Sequence, residues 1–478
     1  MKKLLEKYNS LSVQLKAAFW FLFCTVMQKG ISVITTPIFT RIMDTEQYGQ
    51  YGVYNSWFSV ISVFVTLKLY YGVYAQGLVK FEEKKNQFSS ALQGLTISMC
   101  TGFFALYFVT QRFWNHLFKL DFRYMGAMFI LIWTTAVFSF WAANERVDYK
   151  YRKLLIMTII TSVVKPIVSI IWILASEEKA LARAWAVSLV ELVCYIPLFV
   201  VQMKRGGVFC DKQVWKYAVK FNLPLIPHYL SQTVLSVSDR IMIERMIDKS
   251  SSGIYTLAHS LAMLMLLVNE AMQQTLAPWI YRKIKEKKLS DIHGIVYAAL
   301  LLIAVANLLL ILLAPEAVKI FAPKSFTEAI YIIPPIAMTT FFMFLYSMFS
   351  YFEFYYEKSV YISVSTIAAA ILNIVLNYIF IKKFGYFAAG YTTLICYITY
   401  AILHYFVMRM TCKKECNGEN PFSAKILILM SVVFMACGFV ILFLYDLMWI
   451  RYGLFALLLI GCAINYKKIL GLYKLVKK

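Results

Sequence analysis

Long runs of apolar residues recur along the whole chain and are separated by short polar segments. Each run is about 20 residues long, which is the length of an α-helix that crosses a bilayer. The pattern predicts fourteen spans, at residues 17–38, 48–69, 89–109, 124–143, 154–175, 182–202, 218–238, 252–274, 291–313, 328–350, 359–381, 387–408, 424–445 and 452–466. We therefore predict an all-α membrane protein without a soluble catalytic domain.

Two polar turns between the spans repeat the same residue types. The segment Arg41–Tyr51 is echoed by Arg245–Tyr255, because arginine, aspartate, glycine and tyrosine recur 204 positions apart. The matching residues are Arg41, Asp44, Gly49 and Tyr51, and Arg245, Asp248, Gly253 and Tyr255. Internal repeats of this kind are typical of transporter folds. We predict two pseudo-symmetric six-helix lobes, at 1–210 and 211–410, with a cavity between them, and two further helices and a cytoplasmic tail in 411–478.

The chain is both apolar and basic. Hydrophobic residues make up 61% of it and charged residues 15%, whereas a soluble domain carries about 25% charged residues. The net charge of +23 would suggest nucleic-acid binding in a soluble protein, but basic residues of membrane proteins collect in cytoplasmic loops. With both termini inside, the inner segments hold 31 lysines and arginines and the outer segments 14. We therefore predict a multi-pass protein with cytoplasmic termini and no nucleic-acid partner.

The cysteines and prolines add little chemistry. The nine cysteines are scattered and form no disulfide framework. Cys412 and Cys416 lie close together but lack a second ligand pair at zinc spacing, so we predict no metal site and no cofactor. Prolines within spans predict broken helices, and these are Pro166, Pro197, Pro224, Pro227, Pro334 and Pro335.

Two lysines lie inside predicted spans, each on a helical face lined by hydroxyl groups. The faces are Thr25, Gln28, Lys29, Ser32 and Thr36 in span one, and Thr158, Thr161, Ser162, Lys165, Ser169 and Trp172 in span five. A lysine at a span centre opposes insertion by about 2.5–3.5 kcal/mol, so we expect these two to face a water-filled cavity. The alternative is a helix–helix interface, where Ser and Thr permit close packing. A third lysine, Lys68, lies opposite the polar stripe of span two, and either faces the cavity or extends to the membrane interface.

Side chains that titrate are concentrated in later spans. The candidates are His228 and Asp239 with Gln232 on one face of span seven, Tyr255, His259, Met263, Glu270 and Gln273 on one face of span eight, and Glu191 in span six. Acids and histidines inside a membrane either relay a proton or cation, or pair with a nearby lysine. Both alternatives stay open, and proton or sodium coupling is one of the two.

The charge of the first lobe indicates the charge of a ligand. Unpaired lysines in a cavity suit a phosphate or pyrophosphate, and nearby aromatic rings suit sugars, with Tyr70, Tyr71 and Tyr74 as candidates. An exporter of cationic drugs is expected to carry acids in its first lobe, and span one contains none.

Several segments resemble one family of transporters. Residues 35–51 resemble the first outer turn of the polysaccharide-repeat flippases, which belong to the superfamily of multidrug/toxin extruders and the peptidoglycan-lipid flippase. Ser238-Asp239-Arg240, Gly253-Ile-Tyr255 and Pro278-Trp279 resemble the signature of the second half of that family, and residues 373–377 resemble its eleventh span. The resemblance covers essentially the whole chain.

The resemblance implies a flippase of the bacterial inner membrane. Its expected cargo is an undecaprenyl-pyrophosphate-linked oligosaccharide, moved from the inner to the outer leaflet by alternating access for O-antigen or capsule synthesis, without covalent chemistry. Membrane lipid and a polysaccharide polymerase are the implied partners, and Asp239 and Arg240 fall on the family signature. The alternatives are a cation-coupled multidrug antiporter of the same superfamily and a membrane polysaccharide polymerase. A polymerase is expected to carry a large outer loop, which none of the predicted loops provides.

Overall fold

The computed structural model describes residues 12–466, and these residues form helices joined by short turns, with no β-strand. Packing divides the chain into two units, one up to Thr233 and the other from Val234 onward. The predicted fold class, an all-α membrane protein, is confirmed. The predicted domain limits stay predictions, and the predicted cytoplasmic tail beyond residue 466 lies outside the described residues.

The helices of the first unit are long, with two short ones inserted between them and one at the end. They are α1 (Val13–Ile42), α2 (Thr45–Thr66), α3 (Gly72–Lys80), α4 (Lys85–Val109), α5 (Gln111–Phe118), α6 (Phe122–Val147), α7 (Tyr151–Leu174), α8 (Lys179–Gly206) and α9 (Lys212–Asn222). The next helix, α10 (Ile226–Met246), crosses the division between the units.

The second unit continues in the same style. Its helices are α11 (Lys249–Ala262), α12 (Met265–Lys285), α13 (Ile292–Leu312), α14 (Ala314–Phe321), α15 (Ile333–Tyr355), α16 (Ser359–Phe384), α17 (Phe387–Glu415), α18 (Ala424–Phe443) and α19 (Met448–Ile464). Short 3-10 turns lie at Glu82–Lys84, Leu223–Leu225, Leu289–Asp291 and Lys324–Tyr331.

Every predicted span overlaps an observed helix, but not all helices are equally apolar. Eleven segments of the described residues are long and apolar enough to cross a membrane. The helix α19 is shorter, and the long helices α2 and α10 are not among these eleven segments. The polar residues of α2, such as Gln50, Ser56 and Ser62, are buried. A helix that buries its polar side chains inside its own unit needs less apolar surface for contact with lipid.

The repeated turns of the sequence have the same structure in both units. The carboxylate of Asp44 accepts a hydrogen bond from the backbone N–H of Gln47 at 2.7 Å and caps α2. The carboxylate of Asp248 accepts one from the N–H of Ser251, also at 2.7 Å, and caps α11. Aspartate at this position satisfies an amide that the helix itself leaves unpaired. The sequence repeat therefore corresponds to a repeat of helix starts.

The predicted proline breaks are largely wrong. The helices α7 and α8 continue through Pro166 and Pro197, because a membrane helix tolerates proline where neighbours satisfy the freed carbonyl. Pro334 and Pro335 begin α15 instead of breaking it, since the first turn of a helix needs no amide donor. Only Pro224 coincides with an interruption, the 3-10 turn Leu223–Leu225, and Pro227 lies in the first turn of α10.

A break that proline does not explain divides span eight. The helix α11 ends at Ala262 and α12 begins at Met265, with a turn at residues 263–264. The predicted face of span eight therefore does not exist as one continuous stripe. Tyr255 and His259 lie on α11, whereas Glu270 lies on α12.

Each unit is built around one enclosed helix. In the first unit, α6 packs against α8, α4, α2 and α3, and residues such as Met128, Ile132 and Phe140 are buried. In the second unit, α15 packs against α17, α13, α12 and α11, and 18 of its 23 residues are buried. These two helices are surrounded by protein, so polar groups on them face other side chains and not lipid.

Candidate functional site

The first unit contains a buried ion pair between neighbouring helices. The Nζ atom of Lys165 on α7 donates to Oε1 of Glu191 on α8 at 2.5 Å. The other carboxylate oxygen accepts hydrogen bonds from the hydroxyls of Thr134 at 3.1 Å and Thr135 at 3.0 Å, both on α6. Pairing and hydroxyl contacts offset the cost of removing both charges from water. The expectation of an unpaired Lys165 is therefore wrong, and the sequence alternative of a paired Glu191 holds.

Lys165 keeps N–H donors that no other residue within 12–466 accepts. Its ammonium group has three N–H donors, and one is directed at Glu191. The Lys165 side chain is 27% exposed, whereas that of Glu191 is 8% exposed, so the positive end of the pair is the more accessible one. One turn further along α7, Ser169 is buried and its hydroxyl has no partner among the described residues. The lysine side chain is therefore the accessible part of this site, and the Ser169 hydroxyl beside it is buried.

The other predicted lysine of the first unit lies on α1, which packs against α7. Lys29 is partly buried on this helix. The hydroxyl of Thr25 donates to the carbonyl of Phe21 at 3.2 Å, so it is satisfied within its own helix. Ser32 is exposed, and its carbonyl accepts from the hydroxyl of Thr36 at 2.8 Å. The α1 face is thus polar and partly exposed, and its role in binding stays a prediction.

Lys68 does not lie opposite the polar stripe of span two. The helix α2 ends at Thr66, and Leu67 and Lys68 both adopt left-handed backbone angles, with φ of 47° and 49°. This reversal brings Nζ of Lys68 to 3.3 Å from the hydroxyl of Ser62, a member of the stripe. The predicted position of Lys68 is wrong because span two was predicted to continue as a helix to residue 69, whereas α2 ends at Thr66.

The loop between α2 and α3 presents aromatic rings at two levels of burial. Tyr71 is 61% exposed, and Nζ of Lys68 lies 5.7 Å from the ring centre of Tyr70. Tyr74 is fully buried, its ring contacts Phe140, and its hydroxyl lies 2.8 Å from the Ser89 hydroxyl. Tyr74 is therefore a core residue and not a platform for sugar, while Tyr70 and Tyr71 remain candidates.

In the second unit, Asp239 is the centre of a buried hydrogen-bond network. Its carboxylate accepts from the hydroxyl of Tyr255 at 2.5 Å, from the amide of Asn377 at 2.6 Å and from the hydroxyl of Thr393 at 2.7 Å. Asn377 also donates to Asn373 at 3.2 Å. The network joins α10, α11, α16 and α17. Three donors from three helices make Asp239 a fixed junction, which is the arrangement of a structural acid.

Arg240 and His259 form the second contact between α10 and α11. A guanidinium nitrogen of Arg240 lies 2.7 Å from Nδ1 of His259. The backbone carbonyl of Arg240 accepts a hydrogen bond from the hydroxyl of Ser252 at 3.1 Å. Gly253, which follows Ser252 in the sequence, is buried. The second-half signature therefore coincides with a set of contacts that hold two helices together.

Two further titratable candidates lie on α10 and α12. His228 is partly buried and its ring lies 5.9 Å from that of Tyr229, both within the first unit. Glu270 is partly buried on α12, beyond the break that follows α11. The coupling role of both residues stays a prediction.

The first signature turn is held by residues that sequence reasoning missed. The ammonium of Lys179 donates to the carbonyl of Ile42 at 2.7 Å. The guanidinium of Arg183 lies 3.7 Å from the ring centre of Phe39 and 4.1 Å from that of Tyr51. Arg41 donates to the carbonyl of Pro37 at 2.8 Å and is exposed. The turn with its buried Gly49 therefore serves to dock α2 onto the start of α8.

A second buried acid–base pair was also missed. Glu353 on α15 and His404 on α17 are both fully buried, and Nδ1 of His404 lies 2.9 and 2.8 Å from the two carboxylate oxygens. His404 lies within predicted span twelve, whereas Glu353 lies three residues beyond predicted span ten, on a helix that continues to Tyr355. Their 51-residue separation in sequence hides the pairing. Among residues 12–466, no cluster of three or more potential metal ligands is present.

Comparison with known proteins agrees with this architecture. A family model described as a polysaccharide biosynthesis protein matches residues 14–284, which is more than half of the chain. The chain is 25% identical over 160 residues to Lsg locus putative protein 1 of Haemophilus influenzae, covering 33% of this chain. The match spans 40% of that relative's own length.

Two solved structures have the same fold over nearly their full length. The lipid II flippase MurJ, in an inward closed conformation, has a TM-score of 0.69 at 15% identity, covering 94% of this chain and 99% of that one. An inward-facing multidrug resistance MATE family transporter has a TM-score of 0.65 at 12% identity, covering 82% and 96%. The fold is therefore that of a multi-pass helical membrane protein, shared with both of these structures. The chain belongs to the polysaccharide biosynthesis protein family, as the resemblance in its sequence predicts.

Proposed function

We propose that this protein is a flippase that moves an undecaprenyl-pyrophosphate-linked oligosaccharide repeat unit from the inner to the outer leaflet of the bacterial inner membrane. Membership of the polysaccharide biosynthesis family supports the pathway. The observation that carries the proposal is the position of Lys165, whose side chain is 27% exposed on a face of a membrane helix that also carries hydroxyl groups. On this proposal, translocation proceeds by alternating access, with both termini in the cytoplasm and no covalent step, and it supplies a polysaccharide polymerase with its substrate.

The ion pair with Glu191 is compatible with an anionic cargo. A pyrophosphate carries more than one negative charge and several acceptor oxygens, so it competes well with a single carboxylate for the ammonium. The unused N–H donors of Lys165 also let it contact a phosphate while the pair persists. Glu191 then holds the lysine in place when the site is empty, because an unpaired ammonium would be costly to bury.

Further cations and rings extend the site in the proposal. Lys29 is assigned to the same pyrophosphate, on a helix that packs against α7. Lys68, Tyr70 and Tyr71 are assigned to the sugar side, because the loop after α2 carries an ammonium beside partly exposed rings. Aromatic faces suit sugar rings, since their apolar surface contacts the C–H faces of the sugar while hydroxyls stay solvated.

The proposal is tested by neutralising both lysines. The double variant Lys29→Gln/Lys165→Gln is expected to abolish surface polysaccharide in a host whose own gene is deleted, although the protein remains in the membrane. In proteoliposomes, flipping of an undecaprenyl-pyrophosphate oligosaccharide should fall at least tenfold, because a loss of about 1.4 kcal/mol in binding corresponds to a factor of ten. Unchanged polymer at wild-type protein levels would reject the site.

Two further variants separate binding from structure. Lys153→Gln removes an exposed lysine at the start of the same helix α7 and should leave export unchanged. Glu191→Gln removes the competing carboxylate and should retain more export than Lys165→Gln, since the ammonium remains. If both members of the pair are equally indispensable, the pair is purely structural and Lys165 is not a cargo ligand.

A further inference from the structure

The buried pair Glu353 and His404 has no role in the proposed cargo site. It lies within the second unit, where α15 packs closely against α17. The Glu353 and His404 side chains are 0% and 1% exposed. A titratable pair this deeply buried in a membrane protein is unusual, because charged groups are normally kept in water. Its chemistry therefore needs an explanation.

The geometry fixes which nitrogen holds a proton. Nδ1 of His404 faces both oxygens of Glu353, at 2.9 and 2.8 Å, so a proton lies between them. On the other side of the ring, Nε2 is buried and has no hydrogen-bond partner among the described residues. When Glu353 is ionised and His404 neutral, Nε2 therefore carries a free lone pair. A proton can bind there without displacing any existing contact.

The added proton determines the net charge of the Glu353–His404 pair. Among the residues that the structure describes, His404 is the only ion-pair partner of Glu353. With neutral His404 the pair carries one buried negative charge, and with imidazolium it carries none. A single uncompensated charge in such a place is costly to bury, whereas an ion pair without net charge is less costly. Packing of α15 against α17 and binding of one proton therefore favour each other.

The other polar groups at this place do not supply the missing charge. The titratable side chains in ring contact with His404 are Tyr346 of α15 and Tyr400 of α17, with ring centres 5.5 and 4.4 Å away. The hydroxyl of Thr366 on α16 lies 3.0 Å from that of Tyr400. None of these three is charged near neutral pH.

The elements packed around the pair use their own polar groups elsewhere. Tyr281 of α12 contacts the rings of Tyr351 and Tyr355. Asn307 of α13 accepts a hydrogen bond from Thr340, and the ring of Phe434 on α18 stacks on Phe341. Asp239 of α10 is held by three donors, one of them from α17. Lys358, which precedes α16, donates to the carboxylate of Glu415, the last residue of α17, at 2.9 Å. These contacts leave His404 as the group that balances Glu353.

We propose that Glu353 and His404 form a binding site for one proton, which is held while α15 and α17 are packed together and exchanged when water reaches the pair. A hydronium ion from the water supplies the proton: one of its O–H bonds breaks, an N–H bond forms at the lone pair of Nε2, and a water molecule leaves. Proton binding at this pair does not depend on the cargo. Its use as a coupling ion rests on the proposed flippase function.

The test measures the protonation of His404 directly and without cargo. The chain has only five histidines, so ring ¹⁵N-histidine labelling of the full-length protein in lipid bilayers gives few NMR signals, and His404→Gln assigns the relevant one. From about pH 5 to about pH 9, the range around the ordinary histidine transition, His404 should change from imidazolium to the neutral Nδ1–H form. In Glu353→Gln the midpoint should differ from that of the wild type, because the carboxylate that faces Nδ1 is no longer present.

Two variants act as controls. Glu353→Asp keeps the negative charge and should keep the transition. Glu415→Gln removes an exposed carboxylate near the end of α17 and should leave the His404 midpoint unchanged. A His404 signal that stays in one protonation state over the whole range overturns the proposal, as does an identical midpoint in wild type and Glu353→Gln. The wild-type titration alone decides the matter if the Glu353→Gln variant does not fold.

Discussion

Lys165 combines two properties that are seldom found together in a membrane helix, an ion-pair partner and spare N–H donors. The first offsets the cost of burial, and the second makes the ammonium available to a ligand. Asp239 has the opposite character, because three donors occupy its carboxylate and leave it inaccessible. The number of unused donors or acceptors therefore separates candidate binding residues from structural ones better than the presence of charge does.

A different ion pair gives a pH-dependent prediction at the end of α6. Partial burial raises the pKa of Asp148, but the ammonium groups of Lys150 and Lys85, each 2.6 Å away, outweigh this and hold the pKa below its ordinary value. The ionised carboxylate therefore stabilises the fold above its ordinary pKa, and this contribution is lost as the pH falls through the lower, folded-state pKa. Asp148→Asn should reduce the free energy of unfolding by about 1 kcal/mol at neutral pH, discounted for the exposed lysines.

Thermal unfolding in detergent at several pH values checks this effect. The difference between wild type and Asp148→Asn should be largest near neutral pH and shrink towards zero in acid. Lys150→Gln removes the more exposed of the two lysines, 54% against 31%, and should have a smaller effect. Equal stability of wild type and Asp148→Asn at neutral pH would contradict the prediction.

Single residues were predictable where the apolar background made them conspicuous. Lys165 and Glu191 stand out in the sequence as charges inside spans, but their pairing depends on how α7 and α8 pack, which no periodicity reveals. The position of Lys68 was not predictable, because two consecutive left-handed residues without glycine end α2 early. The sequence therefore locates charges, and packing decides their partners.

Helix positions followed closely from hydropathy, but helix interruptions did not follow from proline. Pro166 and Pro197 lie within continuous helices, and the break at residues 263–264 contains no proline. Hydropathy indicates where a helix crosses the membrane, because the apolar segment has to be as long as the hydrocarbon core is thick. A local break depends on which neighbouring groups satisfy the backbone, and this information is distributed over several helices.

The backbone of the linker after α8 lies very close to Gly94 of α4, and this contact gives a prediction about stability. A Cβ atom at this position of α4 would lie 2.0 Å from the carbonyl oxygen of Phe209, which follows α8. Gly94→Ala should therefore force the linker away from α4 and reduce stability by about 2 kcal/mol, as overpacking does elsewhere. The measurement is the thermal unfolding midpoint of the purified protein in detergent.

The same helix supplies a matched control. A Cβ atom added to Gly102 of α4 would meet no neighbouring group within 4 Å, so Gly102→Ala should be neutral or slightly stabilising, since alanine is the better helix former. A Gly94→Ala protein as stable as Gly102→Ala would show that the linker moves aside without cost.

The whole molecule carries the repeat that its sequence indicates. Aspartate caps α2 in one unit and α11 in the other, at matching positions of the repeat. The polar interiors differ, because the first unit holds the Lys165–Glu191 ion pair, whereas the second holds the Glu353–His404 pair and a network of amide and hydroxyl groups around Asp239. Duplication was predictable because helix caps are local in sequence. The divergence of the interiors was not, because it depends on contacts between distant segments.

Membrane orientation is testable at the level of the whole chain. The distribution of lysine and arginine predicts that the turn between α6 and α7 is cytoplasmic and the turn between α7 and α8 is external. In a background with the nine native cysteines replaced, Tyr149→Cys should be protected from a membrane-impermeant thiol reagent in intact cells, whereas Glu177→Cys should react. Both positions are exposed in the structure.

Permeabilised cells provide the control, since both cysteines should then react. The opposite labelling pattern would invert the orientation of the whole chain, and with it the predicted direction of transport. Labelling of both positions in intact cells would instead contradict the assignment of α7 as a membrane span.

The pairing of Lys165 with Glu191 has an electrical consequence. Moving one elementary charge through the full potential across a membrane changes the free energy by about 2.3 kcal/mol per 100 mV. An ammonium and a carboxylate 2.5 Å apart that travel together transfer almost no net charge. Movement of this pair therefore contributes almost nothing to the voltage dependence of transport, whereas neutralising either member alone would leave a charge that responds to the membrane potential.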